Sequence, residues 1–165
     1  MAPSSGGRLG GLQGVADAIA ARLQALEDRA AIADLIARYG PLADAGDAAG
    51  VAALWTDDGI YAVDGFPEAR GHAAIAALIE GPVHQDLMAR GCAHLLGPAT
   101  ITLDGNRATA LCHSVVLAKA SEGWEPVRVA ANRWELMRTP DGWRVTRRDN
   151  ALLDGSEAAR ALFAG

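Results

Sequence analysis

The chain has 165 residues, half of them apolar and 5% aromatic, with a formal net charge of −5. That length fits one domain around one core. The acidic balance and the lack of a Lys/Arg run exclude a reader of nucleic-acid phosphates or an anionic-membrane binder, and no apolar stretch approaches the roughly 18 residues of a membrane helix. Met1 to Gly14 is Gly/Ser-rich without an apolar signal core, so residues 1–14 are expected to be a mobile tail ahead of a single domain over 15–165. Val15 to Tyr39 reads as the longest helix. Ile19, Leu23 and Leu26 follow one stripe, while Ile32, Leu35, Ile36 and Tyr39 follow another at i, i+3, i+4, i+7. The phase break between the two predicts a bend or a new helix near Glu27-Asp28, and Gly40-Pro41 predicts a stop or kink. Asp44 falls just beyond.

Asp47 is a plausible N-cap for a short helix through Trp55. Thr56-Asp57-Asp58-Gly59 is turn chemistry, followed by a strand over Gly59 to Asp64. Gly65 to Gly71 is a loop in which Phe66 suits a lid. A helix follows over 73–80, and a further turn over 83–89. From Cys92 the apolar period changes to two. Strands are expected over 93–103, 107–119, 126–138 and 143–150, with hairpin turns at Asp104-Gly105-Asn106 and Pro140-Asp141-Gly142. Ser156 to Phe163 reads as a closing helix. Helices first and a meander afterwards is an α+β pattern, with a small-molecule pocket between helices and sheet. Cys92 and Cys112 lack CxxC spacing, so they read as reduced, buried thiols of a cytoplasmic protein, with no metal site.

The string Leu26-Glu27-Asp28-Arg29, then Ile32, Leu35, Tyr39, Asp44, Asp47, Val51, Leu54-Trp55 and Asp57-Asp58, resembles the SnoaL-like branch of the nuclear transport factor 2-like superfamily. The second half agrees through His94, Leu103-Asp104-Gly105-Asn106, Arg133-Trp134 and Asp141-Gly142-Trp143-Arg144-Val145. The resemblance covers about residues 24–150. It implies a cone-shaped α+β barrel, a strongly curved and mostly antiparallel sheet packed on three to four helices. It also implies a homodimer or homotrimer, with the outer sheet face, Trp124 or Trp143 included, buried between copies.

Scytalone dehydratase, lindane dehydrochlorinase and bile acid 7α-dehydratase look closest within that branch. All are cofactor-free lyases with an Asp–His pair in the cone, which carries over to Asp44 and His94. The bile acid enzyme has a tyrosine five residues before the Asp, matching Tyr39. An arginine on the last strand matches Arg148, and an asparagine on the third meander strand matches Asn132. The dehydrochlorinase has a lysine where Tyr39 stands, and scytalone dehydratase a tyrosine where Ala43 stands.

The chemistry agrees with those positions. Taking a proton from carbon beside a carbonyl needs a base of near-neutral pKa, and histidine is the usual one. A carboxylate on one ring nitrogen fixes the tautomer and steadies the imidazolium. The enolate or leaving anion then needs a cation or a donor, for which Arg148 and Tyr39 are candidates. No cofactor is called for. Trp55, Tyr61, His113 and Asn132 are candidates for the substrate-binding wall. His72 reads as a helix-start residue and His84 as a surface one.

Blander readings stand beside these. Asp44 alone reads as a loop residue, His94 and His113 as core histidines, and Tyr39 as packing. Strict alternation sets Arg148 on the face opposite Trp143, solvated unless a bulge re-aims it. The expected function is a dehydratase-type lyase acting on a small hydrophobic cyclic carbonyl compound. An isomerase or polyketide cyclase with the same dyad, or a non-catalytic hydrophobe binder, are the alternatives.

Overall fold

Two apolar faces on one unbroken helix explain the phase break in the first 44 residues. The computed structural model describes residues 6–164, with side chains from residue 11 onward, and α1 runs over Gly6–Asp44. Residues 1–5 of the expected tail lie outside the described residues, and residues 6–14 are helical. Ile32, Leu35, Ile36, Tyr39 and Ala43 are buried, while Leu12, Val15, Ile19, Leu23 and Leu26 are exposed. The break at Leu26 to Ile32 therefore marks a change of face along one continuous helix. Pro41 lies inside the helix, which continues past it, with Ala45 N–H donating to the Pro41 carbonyl at 3.0 Å. Asp44 is thus the last helical residue and is held rigidly.

Short helix α2 (Ala48–Ala52) starts on the Asp47 cap, whose carboxylate accepts from Gly50 N–H at 2.8 Å. Strand β1 is Trp55–Val63, followed by β2 (Ala69–Arg70), α3 (Gly71–Glu80) and α4 (Pro82–Arg90). Then come β3 (Cys92–Leu96), β4 (Thr100–Asp104), β5 (Arg107–Ala120), β6 (Gly123–Thr139), β7 (Gly142–Leu152) and α5 (Glu157–Phe163). The strand expected over 93–103 is two. β3 and β4 both pair with β5, and Pro98, without an N–H, lies in the gap between them.

The sheet order is β2-β1-β7-β6-β5-β3, all antiparallel except β1 against β7, which is parallel. The sheet is curved and unclosed, as expected, and the described residues form five helices, of which α1, α3, α4 and α5 lie against it. The supposed turn at residues 56–59 is an irregular stretch of β1, because Trp55 pairs with Val145 and Ile60 with Arg147. Gly59 permits it. A Cβ there would lie 2.7 Å from Trp55 Cδ1 and 3.0 Å from the Val145 carbonyl. α1, α2 and α3 pack Ile32, Ile36, Val51, Ile75 and Ile79 over the concave face. Among the described residues no helix is long and apolar enough to cross a membrane.

Asp28 fastens α1 to the β6–β7 hairpin. It accepts from Arg138 Nη2 at 2.5 Å, Trp143 Nε1 at 3.1 Å and Gln24 Nε2 at 3.1 Å. Trp143 is consequently buried rather than presented on the outer face; Trp124 is exposed. The Arg138 bond, against the opposing effect of burial, holds the Asp28 carboxyl below the usual carboxylate range. A depressed native pKa adds stability above the unfolded value and loses it as pH falls through the native one. Asp28→Asn should therefore cost about 1–2 kcal/mol at pH 7, judged from bonds to charged groups. In urea titrations that deficit should shrink only as pH falls below the usual carboxylate range and through the depressed native value, where the wild-type carboxylate also takes up its proton.

Candidate active site

The open end of the cone is a cavity of about 500 Å³, a size suited to a small organic ligand. Tyr39, His84, His94, Ser114, Arg148 and Asn150 supply polar groups to it, and Tyr61, Val63, Leu78, Ile79, Leu96 and Val116 apolar wall. Phe66, which suits a lid in the sequence, is exposed and lines the mouth.

A close backbone approach puts Asp44 beside His94. Gly40, one helical turn before Asp44, faces the His94 carbonyl; a Cβ there would be 2.2 Å from that oxygen. With no side chain in the way, α1 meets β3. His94 Nδ1 donates to Asp44 Oδ1 at 2.7 Å, and the His94 backbone N–H is 3.1 and 3.0 Å from the two carboxylate oxygens. Gly40→Ala should separate the two elements. We expect a loss of about 1–3 kcal/mol, the range for overpacking, with activity falling further than stability; a Tm within 1 °C of wild type would contradict this contact.

A carboxylate can only accept, so the proton between the pair sits on Nδ1 and Nε2 is bare in the neutral ring. Burial pulls the His94 pKa down. Asp44 opposes that through its hydrogen bond and charge, and the charges of His84 and Arg148 lower it further. The net direction favours the neutral, proton-accepting ring.

His84, expected at the surface, is buried. Its Nε2 donates to the Ala43 carbonyl at 2.8 Å, and its ring centroid lies 5.3 Å from that of His94. The sequence marks it only by its place in the first turn of α4 after Pro82.

Cys92, two residues before His94 and on the same strand face, donates its thiol to Asp44 Oδ1 at 3.6 Å. Donor atoms of Asp44, Cys92 and His94 lie within 4.8 Å of one another, a spacing a metal ion could use. Burial and the Asp44 charge, however, push the Cys92 thiol up to about 11. With the proton retained, the trio is satisfied as a hydrogen-bond cluster.

Arg148 is buried in the concave face, not solvated. The β6–β7 register shifts between Glu135 and Leu136, so that Leu136 pairs with Val145 and Glu135 with Arg147. Thr146 is the extra residue. Trp143 and Val145 point inward before the bulge, and Arg148 and Asn150 after it. The guanidinium carbon lies 4.1–4.7 Å from the ring centroids of Trp134, Tyr39 and Tyr61. Asn132 Oδ1 accepts from Arg148 Nε at 3.0 Å and Nη2 at 2.8 Å, and from Asn150 Nδ2 at 2.9 Å. Asn132 Nδ2 in turn donates to Ser114 Oγ at 2.8 Å. Among the described residues, Arg148 Nη1 is the one buried side-chain nitrogen or oxygen without a partner, and no carboxylate pairs with this cation.

Tyr39 and Tyr61 place their hydroxyls 3.2 Å apart in the same wall. Burial drives the Tyr61 pKa upward, which keeps its proton in place.

Other expected wall residues stand elsewhere. Trp55 does not line the cavity; it lies behind Tyr61, ring centroids 5.3 Å apart, with Nε1 donating to the Ile60 carbonyl. Asn132 acts through Arg148 rather than at the cavity surface. His113 is a correction. It is exposed on the opposite face of β5 and meets Phe163 of α5, while Cys112, Ser114 and Val116 point inward. His72 does start α3, and its Nε2 lies 3.0 Å from the Trp55 carbonyl.

A family model described as a SnoaL-like domain matches residues 24–149. The chain is 63% identical to an NTF2-like protein with a cystatin-like fold from Novosphingobium aromaticivorans, over 87% of this chain and 94% of that one, with a TM-score of 0.86. It shares the fold of ActVI-ORFA from Streptomyces coelicolor at 24% identity, covering 77% of this chain and 97% of that one, with a TM-score of 0.66. It shares it also with a Catenulispora acidiphila protein in complex with S-DNPA, at 21% identity over 73% and 90%, with a TM-score of 0.61. No curated protein matches the chain. The chain thus belongs to the SnoaL-like family, within the nuclear transport factor 2-like superfamily.

Proposed function

We propose that the chain is a cofactor-independent lyase of the dehydratase type, acting on a small hydrophobic cyclic β-hydroxy carbonyl compound. The observation that carries this reading is Arg148: among the described residues a buried cation with no acid partner and one guanidinium nitrogen, Nη1, left without any, in the same cavity as a carboxylate-held histidine. Burying an unsatisfied charge is costly unless something completes it. An oxygen that gains negative charge during reaction, such as an enolate, would do so and would be stabilised most at the transition state.

The step balances as follows. His94 Nε2 takes the proton from the carbon beside the carbonyl, and the electron pair moves onto the oxygen facing Arg148. As the carbonyl re-forms, the C–O bond one carbon further breaks. The departing hydroxyl takes the proton of the Tyr39 hydroxyl and leaves as water, while Tyr61 holds Tyr39 in place through the 3.2 Å contact between their hydroxyls. The proton on His94 then returns to Tyr39 through solvent.

A second reading keeps the base and changes the outcome. His84 beside His94 offers a second site to hold a proton, which favours isomerisation, where a proton is delivered back to another carbon. The test is a panel of cyclic hydroxy ketones followed for the conjugated enone by absorbance and for water loss by mass. Loss of 18 mass units supports the lyase; an isobaric product supports the isomerase; unchanged ligand in a tight complex supports a binder.

Because the His94 pKa lies below its ordinary value, near 6.5, kcat/KM should be level at neutral pH. It should fall only in more acidic buffer, as the base is protonated. An acid limb above pH 7 would contradict the assignment. We further propose a cytoplasmic homo-oligomer, a dimer or a trimer. Two free thiols and the exposed Leu95, Val129 and Met137 on the outer sheet face support it.

A further inference from the structure

The first half of α1 carries an apolar stripe that none of the described residues covers. Leu12, Val15, Ile19, Leu23 and Leu26 are 54–68% exposed. At 3.6 residues per turn they fall within about 80° of arc, with no charged residue among them. The stripe lies about 140° round the helix from the face that Ile32, Leu35, Ile36, Tyr39 and Ala43 bury. One rigid helix cannot turn both faces to the same sheet, so the stripe has to be covered by something else. Most of it also precedes residue 24, where the family match begins.

The order of the stripe says what fits it. The spacings are three, four, four and three, so the pattern reads the same from either end with Ile19 at its centre. A two-fold interface requires that where residue i meets j, j meets i. Two antiparallel copies of this stripe satisfy that at every position. In such a pair Leu12 would face a second copy's position 26, Val15 its position 23, and Ile19 its own equivalent. A parallel pairing gains nothing from the palindrome. Ala16, which flanks the stripe about 60° from Ile19, is small enough to let a second helix approach on that side. Gly11 and Gly14 are poor helix formers, so this segment depends on packing for its helical state. We propose that a second copy of this chain docks on the N-terminal arm of α1, the two arms packing antiparallel about a two-fold axis at Ile19.

Disulfide trapping in the full chain tests it. Ile19→Cys, oxidised at low micromolar concentration, should give a covalent dimer joined through position 19, identified by peptide mass against the wild-type chain treated alike. Leu12→Cys alone should not join to itself, whereas Leu12→Cys mixed with Leu26→Cys should give the heterodimer. Ile19→Asp, at an exposed position that leaves the domain core intact, should lower the solution mass by light scattering at least twofold. A Leu12–Leu12 disulfide would overturn the antiparallel register. An Ile19→Cys chain that stays uncrosslinked, or an Ile19→Asp chain of unchanged mass, would overturn the pairing. Binding of the arm to phosphatidylcholine vesicles with no cross-link would assign the stripe to a lipid surface instead.

Discussion

His94→Ala is expected to lower kcat by about 10²–10⁴, the range that general bases contribute, with the far-ultraviolet spectrum unchanged. The ring is the only part removed. Its backbone N–H still donates to Asp44, so the α1–β3 junction keeps two of its bonds. Asp44→Asn is the sharper companion. The amide keeps one acceptor for that N–H, but its other atom is a donor. It can no longer both receive Nδ1–H and balance the imidazolium that forms. Activity should drop about as far as in His94→Ala, and the double variant should be little worse than either, because the two groups act as a unit. Turnover by His94→Ala within tenfold of wild type would remove the base from the mechanism. Equal losses in the two single variants with additive loss in the double would leave two unrelated contributions.

The second large effect concerns Arg148. Arg148→Met should cost about 10²–10³ in kcat, the scale of one removed oxyanion donor, while stability changes by about 1 kcal/mol or less, or rises. Methionine fills much of the same volume against Tyr39, Tyr61 and Trp134, and it removes a buried charge with an orphaned N–H. Replacing buried ions with apolar groups is often neutral or stabilising. Asn132 Oδ1 keeps the bond from Asn150 Nδ2 at 2.9 Å. A purely structural arginine would behave the other way, with stability lost and kinetics spared. Paired denaturant and kinetic measurements on this one variant therefore separate a positioning or stabilising role at the reacting oxygen from a packing role.

What was legible in the chain follows from how local each signal is. The Asp44–His94 pair could be read because it recurs in one frame of helix, Asp, strand and His, although the backbone contact that joins it, at Gly40, carries no mark of its own in the sequence. Helix and strand periods located α3, α4, β5, β6 and β7 to within a few residues. The parallel pairing of β1 with β7 was not legible, since it joins segments some 90 residues apart. Gly40-Pro41 predicts a stop or a kink, and the helix does not stop there: tertiary packing carries it one more turn to Asp44. His113, a candidate for the wall, stands on the other face of β5, since the run Leu111, Val115 and Leu117 beside it is at least as apolar as Cys112, Ser114 and Val116, which point inward. Arg148 fell out of phase for a different reason. Alternation holds only while the ladder keeps count, and Thr146 adds one to the count.

That extra residue has a consequence for how this lineage can change. Deleting the Thr146 codon would restore strict alternation and rotate everything beyond it by half a turn. Arg147 and Asp149, which now bond one another away from the cone, would be carried inside, and Arg148 and Asn150 would leave it. A three-base event in a strand, far from the dyad in sequence, is enough to exchange the site's positive pole for an internally neutralised pair. Descendants of one ancestor would thus part ways between turnover and mere storage of a guest with Asp44 and His94 both unchanged.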